Sequence, residues 1–184
     1  MRKVTIAITL LAAGIVAAGC STAIKESAGL ALGAKGSVTP LQGAISEDAS
    51  LLSAYDNFEL GAFSGDMNGK VPAELFNLLP EAFMNAVLDR KLPVGGSKTL
   101  VARGKVLHYE DSSTVGMALG PVEFVVARVE FVDKSSGSVL GVANCVGRTT
   151  ARVNLGVAKK AQGLARAIVK WIDARYPSEG RSED

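Results

Sequence analysis

Apolar and polar positions alternate along this chain with three different periods, and each period predicts a different element. Val4 to Ala18 is apolar apart from Thr5, Thr9 and Gly14. From Ser21 to about Ser53 the sequence is rich in Ala, Gly and Ser and holds no sustained period. Such a composition buries too little surface to offset chain entropy, so residues 20–54 are expected to be a flexible tether. A short helix around Glu26 to Lys35 is the one element expected within it. A Gly-rich tether of this length spans about 30 Å on average.

Order is expected from Tyr55. Phe58, Leu60 and Ala62 alternate with Asn57, Glu59 and Gly61, a strand period. Leu75, Leu79, Ala82, Phe83, Ala86 and Val87 recur at helical spacing, so Pro72 to about Lys91 is expected to be an amphipathic helix. Pro72 suits a first turn, whereas Pro80 predicts either a kink or a fresh start near Asn77. Leu100 to Leu107 alternates again. Val122 to Val132 and Val139 to about Arg152, joined by Asp133 to Ser138, predict a long antiparallel hairpin with Arg128 and Glu130 facing water. Val157, Ala161, Leu164, Ala165, Ile168, Ile172 and Tyr176 then form one stripe of a closing helix, which Pro177 and a charged tail, 177–184, end. The order β-α-β-β-β-α predicts an α+β domain over 55–176, with two helices on one face of a mainly antiparallel four-stranded sheet.

Arg2 and Lys3 before the first apolar run, and small residues after it, give the three-part order of an export signal. The run is shorter than the roughly 20 apolar residues of a membrane-spanning helix. Ala17-Ala18-Gly19-Cys20 resembles the lipobox of bacterial lipoproteins. The resemblance implies removal of residues 1–19 by cleavage between Gly19 and Cys20, and attachment of diacylglycerol, often with a third acyl chain, at Cys20. Two or three acyl chains hold firmly where one does not, because each buried methylene adds about 0.8 kcal/mol. Ser21 stands where Asp would, in enterobacteria-like systems, mark retention at the inner membrane; the expected location is therefore the outer membrane, facing the periplasm.

Charge changes once that segment is gone. The whole chain has 20 basic and 18 acidic residues; losing Arg2 and Lys3 leaves 18 of each. A neutral body with one Trp gives no support for nucleic-acid binding. With Cys20 acylated, Cys145 is the single free thiol and no internal disulfide is expected.

Candidate chemistry is sparse. His108 is the one histidine, so no pair of imidazoles can hold a metal, and it is expected to be a half-exposed strand-end residue. Cys145 lies among Val142, Ala143 and Val146 and is expected to be a buried small hydrophobe. Gly95-Gly96-Ser97-Lys98 falls between helix and strand, the wrong order for a phosphate loop. Glu47 with Asp48, and Glu81 with Asp89, are read as solvated or capping carboxylates. Arg148, Arg152, Lys159 and Lys160 are the basic concentration that could touch an anionic headgroup or glycan. No catalytic residue, metal ligand or cofactor is expected.

The strand Leu100 to Tyr109, Gly116 and Gly120, the run Val122 to Asp133 with Ser136-Gly137, and the Ala-rich final helix resemble the bacterial lipoprotein family called domain of unknown function 4410. That family is similar in architecture to the N-terminal α/β domain of TolB and to parts of curli-secretion and penicillin-binding-protein-activator lipoproteins. The resemblance implies a non-enzymatic envelope domain that binds partners. Three functions are therefore expected, in this order: a lipid-anchored interaction or scaffold domain, a self-associating subunit of an envelope secretion or assembly complex, and an envelope hydrolase acting through an unrecognised site, for which His108→Ala is the test.

Overall fold

The computed structural model describes residues 34–41, 50–65, 70–110, 123–149 and 156–177. Gly19, Cys20, the expected helix at 26–35 up to its last two residues, Glu47, Asp48 and Arg152 lie outside them. Five strands and two helices follow one another as β1 (Lys35–Pro40), β2 (Asn57–Gly65), α1 (Ala73–Asp89), β3 (Thr99–Tyr109), β4 (Phe124–Asp133), β5 (Val139–Arg148) and α2 (Val157–Asp173). They form one sheet in the order β1-β5-β4-β3-β2, with the two helices packed against each other.

The α+β class and the β4–β5 hairpin are as expected, but the sheet is five-stranded and mixed rather than four-stranded. Two physical features account for the difference. First, β2 and β3 pair in parallel, Phe58 with Leu100 and Leu60 with Ala102. A strand, a helix and a second strand make a crossover unit, which returns the chain in the same direction as it left. Second, β1 lies within the expected tether and pairs antiparallel with β5, Lys35 with Arg148 through Pro40 with Ala143. The domain therefore reaches back at least to Ala34.

Glycine is what hides β1 in the sequence and what seats it. A Cβ on Gly36 would stand 2.4 Å from Ala167 N, and one on Gly147, its partner across the ladder, 2.3 Å from Leu164 N. Real Cβ atoms do not approach backbone so closely, so both positions must lack a side chain for α2 to lie flat on β1 and β5.

Along β4, Val125, Ala127, Val129 and Phe131 are fully buried, as are Ala143 and Cys145 of β5, while Arg128 is exposed. Phe131 stacks on Trp171 of α2 with ring centroids 3.7 Å apart. From α1, Leu75, Leu79, Phe83 and Val87 enter the same core. The helix runs unbroken through Pro80, whose ring is exposed. It stops at Lys91, which takes a left-handed conformation (φ 52°) while its N–H and that of Leu92 donate back to the carbonyls of Leu88 and Val87. That pair of bonds is the Schellman arrangement, with buried Leu92 supplying its apolar contact.

Candidate interaction surfaces

Of the basic residues singled out by sequence, Arg148, Lys159 and Lys160 lie among the described residues, and they differ in exposure. Arg148 is exposed at the end of β5, and half-buried Lys159 donates to Gln162 at 3.2 Å. Lys160 is not a surface cation at all. Its side chain is fully buried, with Nζ 3.1 Å from Glu123 Oε2, donating to the Glu110 carbonyl at 2.8 Å and standing 4.1 Å from the Tyr109 ring centroid. Burial alone would pull its pKa down; the Tyr109 side chain and the Glu123 carboxylate outweigh that and hold it above the ordinary lysine value. Glu123 also accepts from the Gly156 N–H at 3.0 Å, at the start of α2. A lysine consumed in this way cannot serve as an anion contact, because exposing it would strand the buried carboxylate.

A second polar cluster lies at the opposite end of β4. Asp133 Oδ2 accepts from the Tyr55 hydroxyl at 2.7 Å and pairs with Lys98, while Oδ1 accepts from the backbone N–H and hydroxyl groups of Ser135 and Ser136. Lys98, Ser135, Ser136 and Tyr55 hold the Asp133 carboxyl far below the usual carboxylate range, and burial together with Asp133 raises the Tyr55 phenol. This cluster fixes the β4–β5 turn and the chain before β2. Gly95 to Lys98 likewise make a fixed turn: Asp56 Oδ1 accepts from the Lys98 N–H at 2.7 Å and Asn57 Oδ1 from the Gly95 N–H at 3.1 Å.

Cys145 is fully buried on the helix-covered face of β5, and burial pushes its thiol up to about 12. His108 is exposed beside a bulge in β3, where it stacks on Phe124 with centroids 4.9 Å apart. A general-base imidazole is oriented by a hydrogen bond to a second group; His108 has a ring stack in that place. Among the described residues no group of three or more His, Cys, Asp or Glu could hold a metal ion. No described helix is long and apolar enough to cross a membrane.

Three concavities among the described residues bear on function. On the sheet face away from the helices, a shallow cleft of about 510 Å³ is lined by Arg103, Lys105, Leu107, Arg128 and Glu130. Lys105 and Arg128 sit directly opposite each other in the ladder, an unfavourable like-charge pairing, and Arg103 is bridged to Glu130 at 2.9 Å. Val126 and Val146, also paired, share this face and are half-buried. On the helix side, a cleft of about 220 Å³ follows the α1–α2 seam and is lined by Glu81, Asp89 and Arg166, among others. It continues into a wider one of about 440 Å³ beneath the start of β1. Sequence reasoning missed both helix-side clefts; the wider one is walled in part by Lys35 and Gly36 of the unrecognised strand β1.

The fold and surfaces thus define an α+β sheet-and-helix body with charge-lined clefts on both faces and, among the described residues, β1 and β2 at the sheet edges. No family model matches the chain, and no curated protein matches it. Among solved structures it is similar to the PelC dodecamer from Paraburkholderia phytofirmans, at 15% identity over 76% of this chain and 96% of that one, with a TM-score of 0.44. It is also similar to a minor lipoprotein from Acinetobacter baumannii (12% identity, 66% and 94% of the two chains, TM-score 0.39) and to a lipoprotein of Caulobacter crescentus (15% identity, 70% and 97%, TM-score 0.35). At these identities and TM-scores the likenesses assign this chain no partner.

Proposed function

We propose that this chain is a lipid-anchored envelope protein whose α+β body is a non-catalytic interaction or scaffold domain, tethered at the outer membrane and facing the periplasm. The observation that carries the reading is the order Arg2-Lys3, the apolar run Val4 to Ala18, and Ala17-Ala18-Gly19-Cys20. The resemblance to the domain of unknown function 4410 family and to the N-terminal domain of TolB belongs to the same reading. Acylation makes Cys20 an anchor, and the body then presents its faces to envelope partners. The test is fractionation of cells expressing the chain and its Cys20→Ser variant. The account expects the parent to stay with membranes through salt and carbonate washing and the variant to be released. A variant held as firmly as the parent contradicts it. Crosslinking in intact cells is expected to capture envelope proteins through the body.

A second reading, self-association into an envelope secretion or assembly complex, is favoured by one specific observation. Strands β1 and β2 are the sheet edges among the described residues, and a sheet edge is a template for pairing with another strand. Sedimentation of the acylated protein in detergent decides it: a defined oligomer supports this reading, and a monomer at all concentrations removes it.

A further inference from the structure

We propose that the cleft beneath the start of β1 seats the phosphate of an anionic lipid headgroup, an inference that rests on the lipid-anchored reading above. Its walls carry Lys35, Arg90, Arg166 and Lys170 against a single carboxylate, Asp89, around a volume of about 440 Å³. Two of the cations are held in place. Arg90 bridges Asp173 at 2.8 Å, and Arg166 donates to the Ala34 carbonyl at 2.7 Å. Lys35 and Lys170 are exposed and have no ion pair among the described residues, so the cleft keeps an excess of positive charge. The neighbouring seam cleft sets Glu81 and Asp89 against Arg166, which directs an anion to the β1 end.

Position selects the source of that anion. Ala34, the first described residue after Cys20, lines this cleft, and its carbonyl accepts from Arg166. Ala34 stands 14 positions after Cys20, so the cleft lies at most about 50 Å from the anchoring sulfur even at full extension. A tether running to Ser53 would have allowed more than twice that reach. An acylated Cys20 sits at the headgroup plane, and the cationic cleft holds the described residues closest to it along the chain. Lysines beside an anionic leaflet gain attraction that dies within a Debye length, about 8 Å at physiological salt, so Lys35 and Lys170 act only if the cleft meets the surface itself.

The experiment is vesicle flotation of the chain from residue 20 onward carrying Cys20→Ser, so that no acyl chain contributes. Vesicles are phosphatidylcholine alone or phosphatidylcholine with phosphatidylglycerol. The proposal expects binding to the anionic vesicles only, weakened about thirtyfold or more by Lys35→Glu with Lys170→Glu. Lys105→Glu with Arg128→Glu, the same change of net charge on the opposite face, is expected to leave binding unaltered. The milder Lys35→Gln with Lys170→Gln, its fold checked by Trp171 fluorescence, is expected to weaken binding in the same direction. Equal binding to both vesicles, no binding, or equal loss in both charge-reversed variants would each overturn it. Loss of vesicle preference in a chain that is acylated in cells removes the cleft and spares the anchor; a chain that is never acylated removes the anchor whatever the vesicles show.

Discussion

Lys160 Nζ and Glu123 Oε2 stand 3.1 Å apart with both side chains closed to solvent. Their further bonds, to the Glu110 carbonyl and from the Gly156 N–H, tie the end of β3, the start of β4 and the start of α2 into one knot. Lys160→Met leaves a buried carboxylate without its cation and is expected to cost about 3–5 kcal/mol in urea unfolding. Removing both charges, with Lys160→Met and Glu123→Leu, should recover much of that loss. A double variant as unstable as the single one would show that the ammonium's bond to Glu110, and not the pair, carries the effect. Since the Lys160 pKa is raised on folding, the pair's contribution is complete below the unfolded lysine value and fades only as pH rises through the folded one, well into alkali.

Gly147 and Gly36 let α2 rest against β1 and β5. Gly147→Ala drives a methyl group toward Leu164 N, and overpacking of this kind costs about 1–3 kcal/mol. Because β1 is an edge strand held by β5 and α2, hydrogen exchange should show its amides losing protection before those of β4. Uniform loss across the sheet would contradict that order.

Asp133 is expected to contribute to the acid limb of stability. Its folded pKa is depressed by Lys98, Ser135, Ser136 and Tyr55, so its contribution is present above the unfolded value, about 3.9, and is lost as pH falls below it. Asp133→Asn is expected to lower the melting temperature by several degrees at neutral pH and to flatten the decline in acid. A variant that keeps the parent's acid slope would place that slope elsewhere.

Cys145 gives a chemical count. With its thiol pushed up to about 12 and fully buried, it should resist maleimide at pH 8 in the native protein and react once unfolded in guanidinium. A protein whose Cys20 is acylated then yields one reactive thiol on unfolding, and two reactive thiols would mean Cys20 is unmodified.

Elements with a strong period were legible in the sequence. The stripe from Ala161 to Ile172 and the alternation from Val125 to Phe131 each bury the side that the pattern names. What escaped lacks a period for physical reasons. β1 reads Lys-Gly-Ser-Val-Thr-Pro, where the glycine needed for contact with α2 removes the apolar signal that marks a strand. The parallel pairing of β2 with β3 was available from their separation by a helix, and the four-stranded antiparallel expectation passed over it. Lys160 falls on the buried side of α2 beside Ala161 and Leu164, where its partner is a glutamate 37 positions earlier in the chain. Charge read along the sequence placed it with Arg148 and Lys159; the fold places it under the surface, while Lys35, Arg90, Arg166 and Lys170, scattered in sequence, meet at one cleft.

The most direct measurement is the intact mass of the protein extracted from membranes of expressing cells. The account predicts a polypeptide that starts at Cys20 and carries the added mass of a diacylglycerol group, with or without a further acyl chain. A chain that still begins at Met1, or one cut elsewhere and bearing no lipid, would contradict it.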